Sequence, residues 1–292
     1  TDDPGDVLAG WLEKRGLEGR AVGIEMQAWY LTVAHFRRLE AALNVPLVEW
    51  TGVFERHRMV KTEAEIERMR RAARAAEAGL AAAIDAVAPG KTENDVAAAM
   101  FQANIAAGSE YLGHPPLVVA GPTTALCFAM WRRRPIRQDD VVLLEAAGCI
   151  DRYHAMLSRP VVAGRPGTEH LETADALREV LEVAISCIRP GISAAEVDLT
   201  CREALERRGL AQYFRHRAAY GIGIGFPPNW SEGHIYSIRP DDPMILQPNM
   251  TFHLIPTLFL KNFGMCFSDS IRVTETGCEV LTGFERKLCA KE

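Results

Sequence analysis

The sequence predicts an α+β protein in which two related halves, each a helix followed by antiparallel strands, close one curved sheet with helices outside it. Three observations lead there. At 292 residues the chain can bury a full core and leaves room for one large domain plus a smaller piece. A helix-start motif occurs twice, as Ala88-Pro-Gly-Lys-Thr-Glu-Asn-Asp-Val96 and as Arg189-Pro-Gly-Ile-Ser-Ala-Ala-Glu-Val197. Each copy is followed by β-rich text, Val141 to Val162 after the first and Met250 to Val273 after the second.

In chain order, residues 1–60 read as a fragment of an α/β unit, the C-terminal remnant of a larger domain. It has a strand at Ala21–Glu25, an amphipathic helix near Leu31 to Leu43 and a short strand near Val45 to Val48. Residues 61–292 form the main domain. From Thr62 to Ala86 the Glu-, Arg- and Ala-rich text has the composition of one long helix, ended by Pro89-Gly90. In the two repeats Thr92 and Ser193 are N-caps, with Asn94-Asp95 and Glu196 in the first turn, and the helices close near Gly108 and Gly209.

Composition narrows the function. With 48% hydrophobic and 24% charged residues and a net charge of -5, nucleic acid is not the expected partner, and the Arg132-Arg133-Arg134 run reads as a solvated turn. Seven cysteines without a Cys-x-x-Cys pair predict neither a disulfide framework nor a structural zinc site and fit a reducing cytoplasm. No apolar run is long enough to span a bilayer. Gly221, Gly223 and Gly225 spell G-x-G-x-G, which is not the dinucleotide fingerprint, so no nucleotide cofactor is expected; they suit a strand passing close to a ligand.

Together, Lys61-Thr-Glu-Ala-Glu-Ile66, the paired Pro-Gly helices, Asn249-Met-Thr-Phe-His-Leu-Ile-Pro256 and Ile271-Arg-Val-Thr-Glu-Thr-Gly277 resemble the creatinase and aminopeptidase P family, with its pita-bread fold. Family peptidases hold two metal ions with two Asp, one His and two Glu. The resemblance places those positions at Glu145, Met156, Tyr220, Ile255 and Ser268, which implies that no metal is bound. Creatinase's catalytic histidine falls at Phe128. The segments Glu145-Ala-Ala-Gly148, Arg152-Tyr-His-Ala155, Tyr220-Gly-Ile-Gly223, Pro227-Pro-Asn-Trp230 and Ser237-Ile-Arg239 resemble the ectoine-hydrolase branch. That resemblance implies a metal-independent hydrolase acting on a small zwitterionic cyclic amidine, and a homodimer.

The candidate catalytic residues are Glu145, His154, Tyr220 and His253. Glu145 ends the apolar run Val141–Leu144, where a carboxylate is costly unless paired, with Arg159 for instance, or used. His154 sits in the returning strand, and His253 alternates with Phe252 and Leu254, facing either the cleft or the helices. Tyr220 can donate or accept one hydrogen bond. Phe128, Phe226 and Trp230 are candidate faces for a planar cation; Glu232 is presented by the same loop as Trp230, and Arg239 is the candidate fork for a substrate carboxylate. A catalytically silent binding module, or a creatinase- or Xaa-Pro-peptidase-like C–N hydrolase with a different substrate, is the alternative, and a single metal on Glu145, His154, His253 and Asp269 is a third reading. His35, His57, His114, His170, His216 and His234 carry no expected role.

Overall fold

Residues 3–232 and 234–291 are described by a computed structural model and fall into two units, Thr1–Arg58 and Met59–Glu292. In the smaller unit, helix α1 (Pro4–Glu13) is capped by Asp3, whose carboxylate accepts from the Gly5 N–H at 2.8 Å. Strand β1 (Val22–Ile24), helix α2 (Val33–Leu43), strand β2 (Leu47–Glu49) and helix α3 (Val53–Arg58) follow, with β1 and β2 paired in parallel. The strands and α2 fall where the sequence puts them; α1 and α3 were not anticipated.

Capping fixes the helices of the larger unit. Helix α4 (Glu63–Ala86) starts on a Thr62/Glu65 capping box and α5 (Glu93–Ala106) on Thr92/Asp95. The sequence reading missed α6 (Thr168–Cys187), while α7 (Ala194–Glu206) starts on the Ser193/Glu196 box. In each box the hydroxyl and the carboxylate satisfy amide donors that the first turn would otherwise leave unpaired.

The strands are β3 (Leu117–Ala120), β4 (Val141–Ile150), β5 (Tyr153–Val162), β6 (Ala219–Phe226), β7 (Asn229–Ser231), β8 (Ser237–Ile238), β9 (Thr251–Leu254), β10 (Thr257–Phe259), β11 (Gly264–Cys266), β12 (Asp269–Val273), β13 (Cys278–Val280) and β14 (Cys289–Ala290). The main sheet runs β13-β12-β9-β6-β5-β4-β3, with β14 beside β5 and β7 and β8 beside β6. Its two halves meet at a thin seam. β5 and β6 pair only at Tyr153 and Ile224, and one further bridge joins Ser158 to Ser268.

Alternation along the strands sorts the core. Val142, Leu144 and Ala146 face α4 and α5, while Phe252, Leu254 and Ile271 face α6 and α7. On the other face Leu143, Ala147, Met156, Tyr220, Ile222 and Ile255 make a smaller apolar cluster that floors the cleft. Glu145, two residues along from Leu143, is therefore carried to the cleft face.

Candidate active site

Two chambers meet at Glu145. One is lined by Leu117, Val119, Leu143, Ile255 and Cys266 among others and has an empty volume of about 470 Å³. The other, of about 580 Å³, is lined by His216, Arg217, Tyr220, Asn229 and Trp230 among others. Glu145, Leu117, Phe128, His216 and Ile255 belong to both walls.

Glu145 is 5% exposed. Burial pushes its carboxyl up to about 8, against a smaller opposing pull from a hydrogen bond with Tyr220. Behind it runs a chain of polar groups. Tyr220 and His253 face each other across β6 and β9, the imidazole Nδ1 2.7 Å from the phenol oxygen, and Nε2 lies 2.6 Å from the Ser268 hydroxyl. Trp230 Nε1–H donates to the same phenol at 3.2 Å.

One proton arrangement satisfies all four groups. Ser268 donates to His253 Nε2, His253 Nδ1–H and Trp230 donate to the phenol oxygen, and the phenol donates to Glu145. The 3.8 Å approach of His253 to Glu145 is accordingly not an ion pair. Burial first, then His216 and Arg217, hold the imidazole neutral, and burial raises the Tyr220 phenol well above the usual tyrosine range.

Other expected residues sit elsewhere. His154 has no exposure, its Nδ1 lies 3.0 Å from the Arg152 carbonyl, and its Nε2 accepts from the Gly113 N–H at 3.0 Å. Burial, with Arg152 adding to it, lowers its pKa to about 4, so it is a neutral clamp between β5 and the Gly113 loop. Glu232 is also fully buried, bonded by Lys61 Nζ at 2.8 Å and by the Tyr236 hydroxyl at 3.0 Å. Phe226 is exposed at the hairpin tip under the Arg152 guanidinium, 5.0 Å from the ring centre. Arg239 points outward, 60% exposed, and bonds Asp242 at 3.0 Å.

Of the aromatic faces, Trp230 and Phe128 do reach the cavity. Trp230 is 4% exposed in the wall; Phe128 is 67% exposed at the mouth, with a left-handed backbone (φ 58°) that a bulky side chain seldom adopts. Arg217, His216 and His114 line the polar chamber and were not among the expected site residues. Arg217 donates to Ser237 at 3.0 Å, lies 4.9 Å from the Tyr220 ring centre, and has its pKa lowered by burial. Its position three residues before Tyr220, at the entry to β6, was the available signal.

The family-type metal positions do not fit a dinuclear centre. Met156 offers only a thioether inside the apolar cluster, Ile255 offers no side-chain donor, and the Ser268 hydroxyl is engaged by His253. Asp269, a member of the third reading, is taken by Arg159 at 2.9 Å, Arg286 at 2.7 Å and Thr282 at 2.8 Å. Arg159 therefore pairs with Asp269 and not with Glu145. Among the described residues, no group of three or more His, Cys, Asp or Glu side chains is arranged to hold a metal ion.

The fold is that of the pita-bread hydrolases. The chain belongs to metallopeptidase family M24, which matches residues 67–275. It is 30% identical to the ectoine hydrolase of Halomonas elongata over 99% of this chain and 74% of that protein. It is 33% identical to an uncharacterised hydrolase/peptidase of Sinorhizobium fredii over 98% of this chain and 73% of that protein. The X-Pro aminopeptidase structure from Thermotoga maritima superposes with a TM-score of 0.89 over 99% of this chain and 79% of that one, at 23% identity, a likeness of fold. Among the described residues no helix is long and apolar enough to cross a membrane.

Proposed function

We propose that this chain is a metal-independent hydrolase that opens a cyclic amidine, ectoine or a near relative, to an N-acetylated diamino acid. The observation that carries the reading is Glu145, a carboxyl enclosed where two chambers meet, raised to about 8 by burial, with Arg217 in the same polar chamber. The likeness to an ectoine hydrolase agrees with it.

An amidinium bound beside Glu145 favours the carboxylate, so substrate binding expels the carboxyl proton. The Arg217 guanidinium meets the substrate carboxylate, and Trp230 supplies a wall for the flat ring. Ionised Glu145 takes a proton from an attacking water, whose oxygen bonds to the amidine carbon. The carbon–nitrogen bond on one side then breaks, and Glu145 hands the proton to the departing nitrogen. The ring opens to a single product carrying an amide and an ammonium, with one water consumed and charge conserved. Tyr220, held by His253 and Trp230, steadies the carboxylate between the two transfers.

Purified protein incubated with ectoine should yield the ring-opened product by chromatography, and prolonged chelation should leave the rate unchanged. Glu145→Gln should abolish turnover with an unaltered circular dichroism spectrum; turnover at the parent rate would reject the assignment. A silent binding module is the second reading, favoured by the replacement of all but one of the family's metal donors; it requires calorimetric binding of ectoine with no product. A homodimer in the cytoplasm, with residues 61–292 as its catalytic domain, completes the proposal, and light scattering after gel filtration tests the dimer.

A further inference from the structure

The chamber on the far side of Glu145 from Arg217 has no partner in a substrate whose amidine carbon bears only a methyl group. Beyond Glu145 and His216, which both chambers share, its walls are mostly apolar: Leu117, Val119, Leu143, Ile255, Phe259 and Cys266. The two threonines in the wall do not change this. Thr124 donates to the Gly121 carbonyl at 2.7 Å and accepts from the Gly264 N–H at 2.8 Å, and Thr257 donates to the Ile255 carbonyl at 3.2 Å. Cys266 is held as the neutral thiol by burial and behaves as a small apolar group.

The chamber has room for about four water-sized groups, and the polar chamber for about a dozen. A six-membered ring with its carboxylate fills the polar side. A methyl group would occupy about a quarter of the apolar side, leaving space where water finds few hydrogen-bonding partners.

We infer that the preferred substrate carries, on the carbon attacked beside Glu145, an apolar substituent of roughly three to five carbons that fills this second chamber. The inference rests on the hydrolase reading above and specifies its substrate class. Water still adds to that carbon and the same carbon–nitrogen bond breaks, but the product is a diamino acid acylated by a longer or branched chain.

The test is a series of tetrahydropyrimidine-4-carboxylates bearing methyl, propyl or isobutyl at the amidine carbon. Both kcat/KM and calorimetric affinity are measured. Each added methylene should raise kcat/KM roughly fourfold until the chamber is full, placing isobutyl more than tenfold above methyl. Val119→Phe, which fills the chamber, should erase that preference. A flat or falling series, in turnover and in affinity, overturns the inference while leaving the hydrolase reading intact if the methyl compound is still opened. Neither turnover nor binding across the whole series overturns both.

Discussion

At the scale of single residues, Glu145 ties stability to pH. A folded pKa near 8 lies above the unfolded value of 4.5, so the native state holds the proton more tightly. The resulting stabilisation is complete below about pH 4 and is lost as pH rises through 8. Glu145→Gln keeps an acceptor for Tyr220 and never ionises. It should therefore melt above the parent, by an amount that grows between pH 5 and 8 to on the order of a few kcal/mol; equal melting points at pH 8.5 would contradict the buried acid. The parent's kcat/KM should climb through an ionisation near 8. Arg217→Met should raise KM for a carboxylated substrate by ten- to a hundredfold, in line with the loss of one charge-assisted hydrogen bond, while Arg239→Met should leave KM within twofold. Glu145 could be placed at the cleft because its motif and its apolar strand agreed on it, whereas Tyr220 and Trp230 were reached through the motif alone. Arg239 and Glu232 were not legible, because spacing does not tell which side of a short strand or loop a side chain takes.

At the scale of elements, β6 is where the glycines find their reason. They were expected to let a ligand approach the strand, but the close neighbours are the protein's own side chains and backbone. A Cβ on Gly221 would lie 2.1 Å from the Tyr236 ring, one on Gly223 2.8 Å from Lys61 Cε, and one on Gly225 2.9 Å from the Trp230 Cα. Tyr236 cannot give way, since its hydroxyl meets Lys61, Glu232 and the carbonyls of Ile222 and Thr251 within 3.2 Å. Gly221→Ala should cost about 3 kcal/mol or more in urea unfolding, and a loss below 1 kcal/mol would show that the ring can shift. Trp230 crosses Gly225 at this close range and its indole N–H bonds Tyr220, so packing along one strand helps to set the wall of the polar chamber. Helices announced themselves through Thr62, Thr92 and Ser193, each a capping residue ahead of helix-forming text; α6 lacked that signal because its N-cap, Gly167, has no side chain to mark it.

At the scale of the main domain, the duplicated halves were visible as a repeated motif, but what fastens them was not, because the fastening joins residues far apart in sequence. The seam between β5 and β6 is thin in backbone hydrogen bonds, and Arg159 compensates for it. Without any exposure, its guanidinium bonds the carbonyls of Ser158 and Ser268, the carboxylate of Asp269 and the carbonyls of Phe284 and Glu285, so a β5 side chain grips β12 and the closing segment. Asp269 also accepts from Arg286, a partly exposed second cation. Arg159→Met leaves Asp269 with one cation fewer and takes a donor from the carbonyls of Ser158, Ser268, Phe284 and Glu285. It should cost about 3–5 kcal/mol, and because the lost bonds cross the seam, the halves should cease to unfold together. In a denaturant titration the parent should show coincident fluorescence and circular dichroism transitions; the variant should show separated ones with a shallower overall slope. Coincident transitions of unchanged slope in the variant would mean that the apolar floor under the cleft, and not this arginine, couples the two halves around Glu145.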